Sequence, residues 1–173
     1  MRVEERVTRL SSGLLLFRRS AAGLEVLLVH MGGPFWRERD AGAWSIPKGE
    51  HQADDDSLHE ARREFAEELG LQAPPGEACD LGELKQRSGK LIHAWALESD
   101  LDVSEISSNT FELEWPRGSG RVQRFPEVDR AAWLGLDVAR EKLVGGQVPF
   151  LQRLREVAES APQAGADVDW DVS

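Results

Sequence analysis

Two apolar runs, Ser12 to Arg18 and Leu24 to His30, flank the turn-forming Ser20-Ala21-Ala22-Gly23, a pattern that predicts a β-hairpin. Both runs are near-continuously apolar rather than alternating, as expected of strands covered on both faces. Between Ser57 and Leu69 the period changes. At about 100° per residue, Leu58, Ala61, Phe65 and Leu69 gather on one side of a helix. Its start is marked by Asp54-Asp55-Asp56-Ser57, with Ser57 and Glu60 at the spacing of a capping box, and its stop by Gly70. Ala73-Pro74-Pro75-Gly76 then forces a loop. Strands are predicted over Leu81 to Arg87 and Lys90 to Glu98, joined at Ser88-Gly89, with His93 and Trp95 sharing a face. A second hairpin pairs Phe111 to Trp115 with Val122 to Phe125, and Glu112 and Glu114 point away from Phe111, Leu113 and Trp115. Asp137 to Val144 and Pro149 to Glu159 read as helices, Pro149 being tolerated in a first turn.

The polar side of the first helix carries Glu60, Glu64, Glu67 and Glu68, with Asp56 one turn ahead. Acidic helical runs are ordinarily solvated surface. Here, however, Glu64 lies three and four residues before Glu67 and Glu68, so the carboxylates can converge on one point. Like charges so placed repel by about 0.2–0.5 kcal/mol per pair, and a hard divalent cation removes the repulsion. Oxygen-only donors suit magnesium or manganese, not zinc. Arg63 stands four residues before Glu67 and is placed to hold it.

Across residues 49–71 the chain resembles the Nudix family. Gly49 opens the motif, Asp55 stands where glutamate is expected, and Arg63-Glu64-Phe65-Ala66-Glu67-Glu68-Leu69-Gly70-Leu71 completes it. The lead-in Trp44-Ser45-Ile46-Pro47-Lys48 is similar to the family's usual approach, and weaker resemblance extends from about Ser11 to Leu154. The resemblance implies an α/β fold, a mixed β-sheet between helices in an α/β/α sandwich. It implies metal-assisted hydrolysis of a phosphoanhydride in a nucleoside diphosphate-linked substrate, with Mg2+ as cofactor and Mn2+ as a substitute. Glu64, Glu67 and Glu68 would hold the metal with a backbone carbonyl near Gly49, oriented by Arg63. Glu127, ahead of Trp133, matches by spacing the acidic residue that reaches the metals in many members. Glu127 and Glu64 are both candidates for the general base, and Lys48 for a phosphate contact. Asp55 would brace the loop and helix start. Nudix folds also include nucleotide-binding or regulatory modules without catalysis; these usually lose a glutamate of the motif core, and every one is present here.

At 173 residues the chain reads as one domain over residues 1–159, with a small, polar, acidic tail over 160–173 expected to be mobile. The charged N-terminus lacks an apolar run for a signal or membrane span, and a single cysteine, Cys79, read as structural, suits a reducing cytoplasm. A net charge of -10 argues against nucleic acid as a general partner and fits a small nucleotide or polyphosphate bridged by metal. Lys85, Arg87 and Lys90 around one turn, and Arg117, Arg121 and Arg124 around another, are positioned as phosphate contacts if they lie beside the metal. Base recognition is less legible. The family's dinucleoside polyphosphate hydrolases commonly stack a base on tyrosine, and this chain has none. Phe35 and Trp36, in the loop Gly32 to Gly42, and Trp95 are the aromatic candidates. Nucleoside triphosphates and dinucleoside polyphosphates lead the substrates, while ADP-ribose, capped RNA ends and diphosphoinositol phosphates stay open.

Overall fold

The computed structural model describes residues 9–160. Its centre is β1 (Leu10–Ser20), which turns through Ala21–Ala22 into the antiparallel β2 (Gly23–Met31), the expected hairpin. After a loop come the short β3 (Trp44–Ser45) and β4 (Lys48–His51), then helix α1 (Ser57–Leu69). β5 (Cys79–Lys85) and β6 (Leu91–Glu98) follow, and β6 runs parallel to β1 over its whole length. These strands and β9 (Val128–Gly135) form one seven-stranded mixed sheet, ordered β3-β2-β1-β6-β5, with β4 on β1 and β9 on β2. β7 (Thr110–Glu114) and β8 (Val122–Pro126) make a separate two-stranded arm. The chain then adds α2 (Leu136–Lys142), a 3-10 turn (Gly145–Gln147) and α3 (Pro149–Ser160). Among the described residues no helix is long and apolar enough to cross a membrane.

The side chains of β1 divide between two cores, which accounts for its unbroken apolarity. Leu14 and Leu16 meet Ala61, Phe65 and Leu69 of α1, while Leu15 and Phe17 share the opposite core with Phe150 and Leu154 of α3. The result is the expected α/β/α sandwich. β9 is an element that the sequence pattern did not announce. Asp129 and Arg130 interrupt its apolar positions, and it is a strand because Val26 to Met31 of β2 offer a free edge. Cys79 begins β5 in an exposed position rather than packed. α3 includes Ser160, and the expected mobile tail otherwise lies outside the described residues.

The helix start differs from the capping-box expectation. Asp56, not Ser57, is the N-cap: its Oδ1 accepts from the His59 N–H at 2.8 Å. Ser57 Oγ instead accepts the Trp95 indole N–H at 2.9 Å and bonds Ser12 Oγ at 2.7 Å, tying the helix to the sheet. Asp55 accepts from the Gln52 N–H at 2.8 Å and closes the loop ahead of the cap. Gly70 ends the helix at φ 64 and donates to Ala66 O. Asp56→Ala is expected to lower stability by roughly 0.5–2 kcal/mol, the usual loss for an N-cap. Denaturant unfolding checks this, and an Asp56→Ala protein as stable as wild type would contradict the cap assignment.

Candidate active site

The approach to α1 is held from three sides. β3 pairs with Val29 and His30, and Leu14 N–H donates to Pro47 O at 3.1 Å. A Cβ at Gly13 would stand 3.0 Å from Pro47 O and 3.1 Å from Lys48 Cβ, so Gly13 permits β4 to lie this close to β1. From the far end of the chain, the buried Gln147 accepts the Ile46 N–H at 2.9 Å and donates to Ser45 Oγ at 3.0 Å. Val144 N–H adds a bond to Trp44 O at 2.8 Å.

Against this anchored segment lie two carboxylates of α1. A Cβ on Gly49 would overlap the carboxylate of Glu64, so glycine leaves the room in which Glu64 sits. One turn later, Glu68 Oε2 accepts the Lys48 backbone N–H at 3.3 Å. Burial pushes the Glu68 carboxyl up to about 8, against the pull of the Lys48 charge and N–H and with further push from Glu64 and Glu127. Burial also raises Glu64, a rise that Arg63 opposes and Glu67 reinforces. Lys48 is driven below the ordinary lysine range, first by burial and then by the nearby Lys90.

Arg63 organises the outer rim. Its guanidinium donates to Glu60 at 2.6 and 2.8 Å, to Glu64 Oε1 at 2.9 Å and to Glu67 Oε1 at 2.7 Å. The hydrogen bond to Glu60 is the main reason that its pKa rises above the usual arginine range. Glu67 therefore points along the exposed helix surface. Among the described residues no three His, Cys, Asp or Glu side chains already converge on an ion's position. The donor set nevertheless fits a hard divalent cation: all donors are oxygen, Gly49 leaves a cradle at Glu64, and Glu68 is crowded by like charge.

Glu68 and Glu127 line the same cavity of about 410 Å³, with Lys48, Lys90, Ser45 and Gln147. Glu127 is fixed by its backbone, which donates to Asn109 O at 2.8 Å and accepts from Gly32 N–H at 2.9 Å. A larger open depression of about 740 Å³ lies outside α1, between His59 and Pro75. None of the site carboxylates faces it, and Arg62 there is bonded to Pro74 O and Gly76 O. The candidate carboxylates Glu68 and Glu127 therefore face the smaller cavity.

Lys48, Gly49, Glu64, Glu68 and Glu127 are thus gathered, with Arg63 and Glu67 on the rim. Phe35, Trp36 and Trp95 are not brought to the cavity. Trp36 packs on the α3-side core, in a loop pinned by the 2.6 Å bond between His30 Nε2 and Arg39 O. Phe35 is 56% exposed beneath the Arg39 guanidinium. Trp95 stacks on His93 under α1, where Ser57 holds its indole. Of the cationic clusters, Lys90 alone lines the cavity. Gln147 was missed altogether: between two glycines and a helix, it carries no periodic or motif signal.

A family model described as NUDIX domain matches residues 7–154. The fold is similar to a C. elegans Ap4A hydrolase solved as a binary complex, at 20% identity and TM-score 0.60, over 87% of this chain and 99% of that one. It is similar to the NUDIX domain of Shewanella oneidensis NrtR complexed with ADP ribose, at 19% identity and TM-score 0.60, over 88% and 90%. A MutT protein from Methanosarcina mazei Go1 aligns at 19% identity and TM-score 0.57, over 90% and 98%. No curated protein sequence matches the chain.

The raised Glu68 pKa makes stability depend on pH. The folded chain keeps a proton that the unfolded chain releases near 4.5, so this contribution is complete below about 4.5 and lost as pH rises through about 8. Without divalent cation, stability is expected to fall across that window and the fall to be shallower in Glu68→Gln. Unfolding curves at several pH values check it; equal slopes in the two proteins would contradict the assignment.

Proposed function

The chain belongs to the NUDIX domain family, and on that premise we propose that it hydrolyses a phosphoanhydride bond in a nucleoside diphosphate-linked substrate, a nucleoside triphosphate or dinucleoside polyphosphate before others. The observation that carries the reading is the seating of Glu64 and Glu68 on β4, by the missing Cβ of Gly49 and the Lys48 N–H, beside a cavity shared with Glu127. Two fold neighbours, one complexed with ADP ribose and one named an Ap4A hydrolase, support the nucleotide class.

Glu64, Glu67, Glu68 and Glu127, with the Gly49 carbonyl, are the residues to hold magnesium (or manganese), which supplies charge neutralisation at the phosphates and a more acidic water. Glu68 must first shed the proton that burial favours. Arg63 restrains Glu64 and Glu67, so it sets where those carboxylates stand. In the reaction a water oxygen forms a new bond to phosphorus and the bridging P–O bond breaks. Its electron pair leaves with the departing phosphate, and Glu127 or Glu64 takes the water's proton. Lys48, on the cavity wall, contacts a phosphate.

A second reading, a nucleotide-binding module without turnover, draws on one observation: Glu64 and Glu67 are both already paired with Arg63. Phosphate release from a nucleotide panel, with and without magnesium, separates the two. Magnesium-dependent release supports hydrolysis, and tight nucleotide binding without release supports the module.

Glu67→Gln and Glu68→Gln are each expected to cut turnover by about 10²–10³, the usual cost of removing one preorganised charge contact, with the fold intact by circular dichroism. Gly49→Ala should behave similarly for a different reason. The new methyl displaces the flexible end of Glu64 and leaves the backbone unstrained, so turnover should fall on the order of 10² while the melting temperature stays near wild type. Near-normal rates in these variants at saturating magnesium would remove the assignment.

A further inference from the structure

Between β6 and β9 the chain runs out into the β7–β8 arm, in which every residue from Glu112 to Arg124 is exposed. Only its root is packed: Phe125 is buried, and Phe111 lies against Gly33, where a Cβ would stand 2.8 Å from the ring. Partners in the ladder share a face, so Phe111, Leu113 and Trp115 stand with Phe125, Gln123 and Arg121 on one side of the arm. Leu113 and Trp115 are each 37% exposed there, and Val122 on the other side is 65% exposed. A bare two-stranded ribbon is marginal in water and needs a third strand or a packed face. The Trp115 N–H donates to Arg121 O and the Glu127 N–H to Asn109 O, so the odd-numbered residues bond across the ladder. The backbone groups of Val122 and Arg124 therefore face outward, and among the described residues no strand pairs with them.

A segment outside the described residues fits this edge. Asp167-Val168-Asp169-Trp170-Asp171-Val172 alternates acidic with apolar residues, the period of a strand with one apolar face. Laid on β8, its Val and Trp side chains continue the face of Phe125, Gln123 and Arg121, and its aspartates meet Arg124, which is held only at 3.5 Å by Glu112. Laid on β7 instead, the same aspartates would oppose Glu112 and Glu114. Reach separates a chain's own segment from a neighbour's. α3 ends beside the β1–β2 turn, where Ala158 O accepts from Arg19. The root of the arm lies at the other end of β2, where the Gly32 N–H donates to Glu127 O. The nine residues of β2 span about 26 Å, and the seven steps from Ser160 to Asp167 cover only about 23–25 Å at full stretch. We propose that the β8 edge takes residues 167–172 of a second copy of this chain, and that the exchange is reciprocal. Two arms and two acidic segments then close a symmetric dimer.

The test is analytical ultracentrifugation of the full chain over a wide range of concentration. Wild type should pass from monomer to dimer. Trp170→Ala and Arg124→Glu should each weaken the dimer about tenfold or more, as loss of an aromatic anchor or of a charge pair at an interface does. Arg140→Glu makes the same charge change on the exposed side of α2 and should leave the dimer as it was. Where wild type is dimeric, hydrogen exchange should be slower at the Val122 and Arg124 amides than in Trp170→Ala at the same concentration. If Arg124→Glu does not fold, Trp170→Ala alone decides. A wild-type chain that stays monomeric, a dimer that survives both substitutions, or equal exchange in the two proteins would overturn the proposal. Single-stranded RNA is the remaining probe: binding that Arg124→Glu abolishes, by a chain that stays monomeric, gives the edge to nucleic acid and overturns it as well.

Discussion

Where β4 passes α1, the backbone of Lys48 and Gly49 lies directly against two carboxylates that leave the helix one turn apart. Glu64 fits because Gly49 has no Cβ, and Glu68 is held by the Lys48 N–H. The contact forces negative charge into a partly desolvated place. It accounts for the raised Glu68, which the Lys48 charge opposes, and for a rim in which Arg63 is bonded to carboxylates. Much of the surrounding structure serves to hold that contact. Phe65 and Leu69 anchor the opposite side of the helix in the core, Gly13 lets β4 approach β1, and Ser57 links the helix start to Ser12 and Trp95.

The motif helix was legible because burial and chemistry impose the same period on it. Ala61, Phe65 and Leu69 must repeat at helical spacing to reach the core, and the glutamates fall on the other side as a consequence. The β1–β2 hairpin was legible for a comparable reason: its buried stretches, residues 11–17 and 26–30, carry no Lys, Arg, Asp or Glu, and Arg18, Arg19 and Glu25 fall toward its less buried end. The cap was misplaced by one residue because Asp56 and Ser57 are both good N-caps. What decided between them was a contact that local sequence does not contain, the claim of Ser12 and Trp95 on the Ser57 hydroxyl.

The aromatics were harder. An indole in a strand or loop suits packing as well as stacking, and only the surrounding hydrogen bonds and cores distinguish the two. Trp95 alternates correctly with Ile92 and Ala94, yet the face that it shares with His93 lies under the helix and not over the cavity. Lys90 belongs to a cluster with Lys85 and Arg87, and chain proximity alone does not separate them. Its register, one residue before Leu91 pairs with Lys85, turns it toward Lys48 and Glu50.

Gln147 holds Ser45 and Ile46 from about a hundred residues further along the chain. During synthesis, the approach segment and the motif helix leave the ribosome long before the residue that fastens one of them. Until then the approach has β1 and β2 beside it and lacks the clamp that Gln147 supplies. The last helices of this chain therefore complete the site as well as the core. A nascent chain that stops short of the 3-10 turn carries the whole motif and none of its final fastening, so the order of translation delays the site until nearly all of the fold is available.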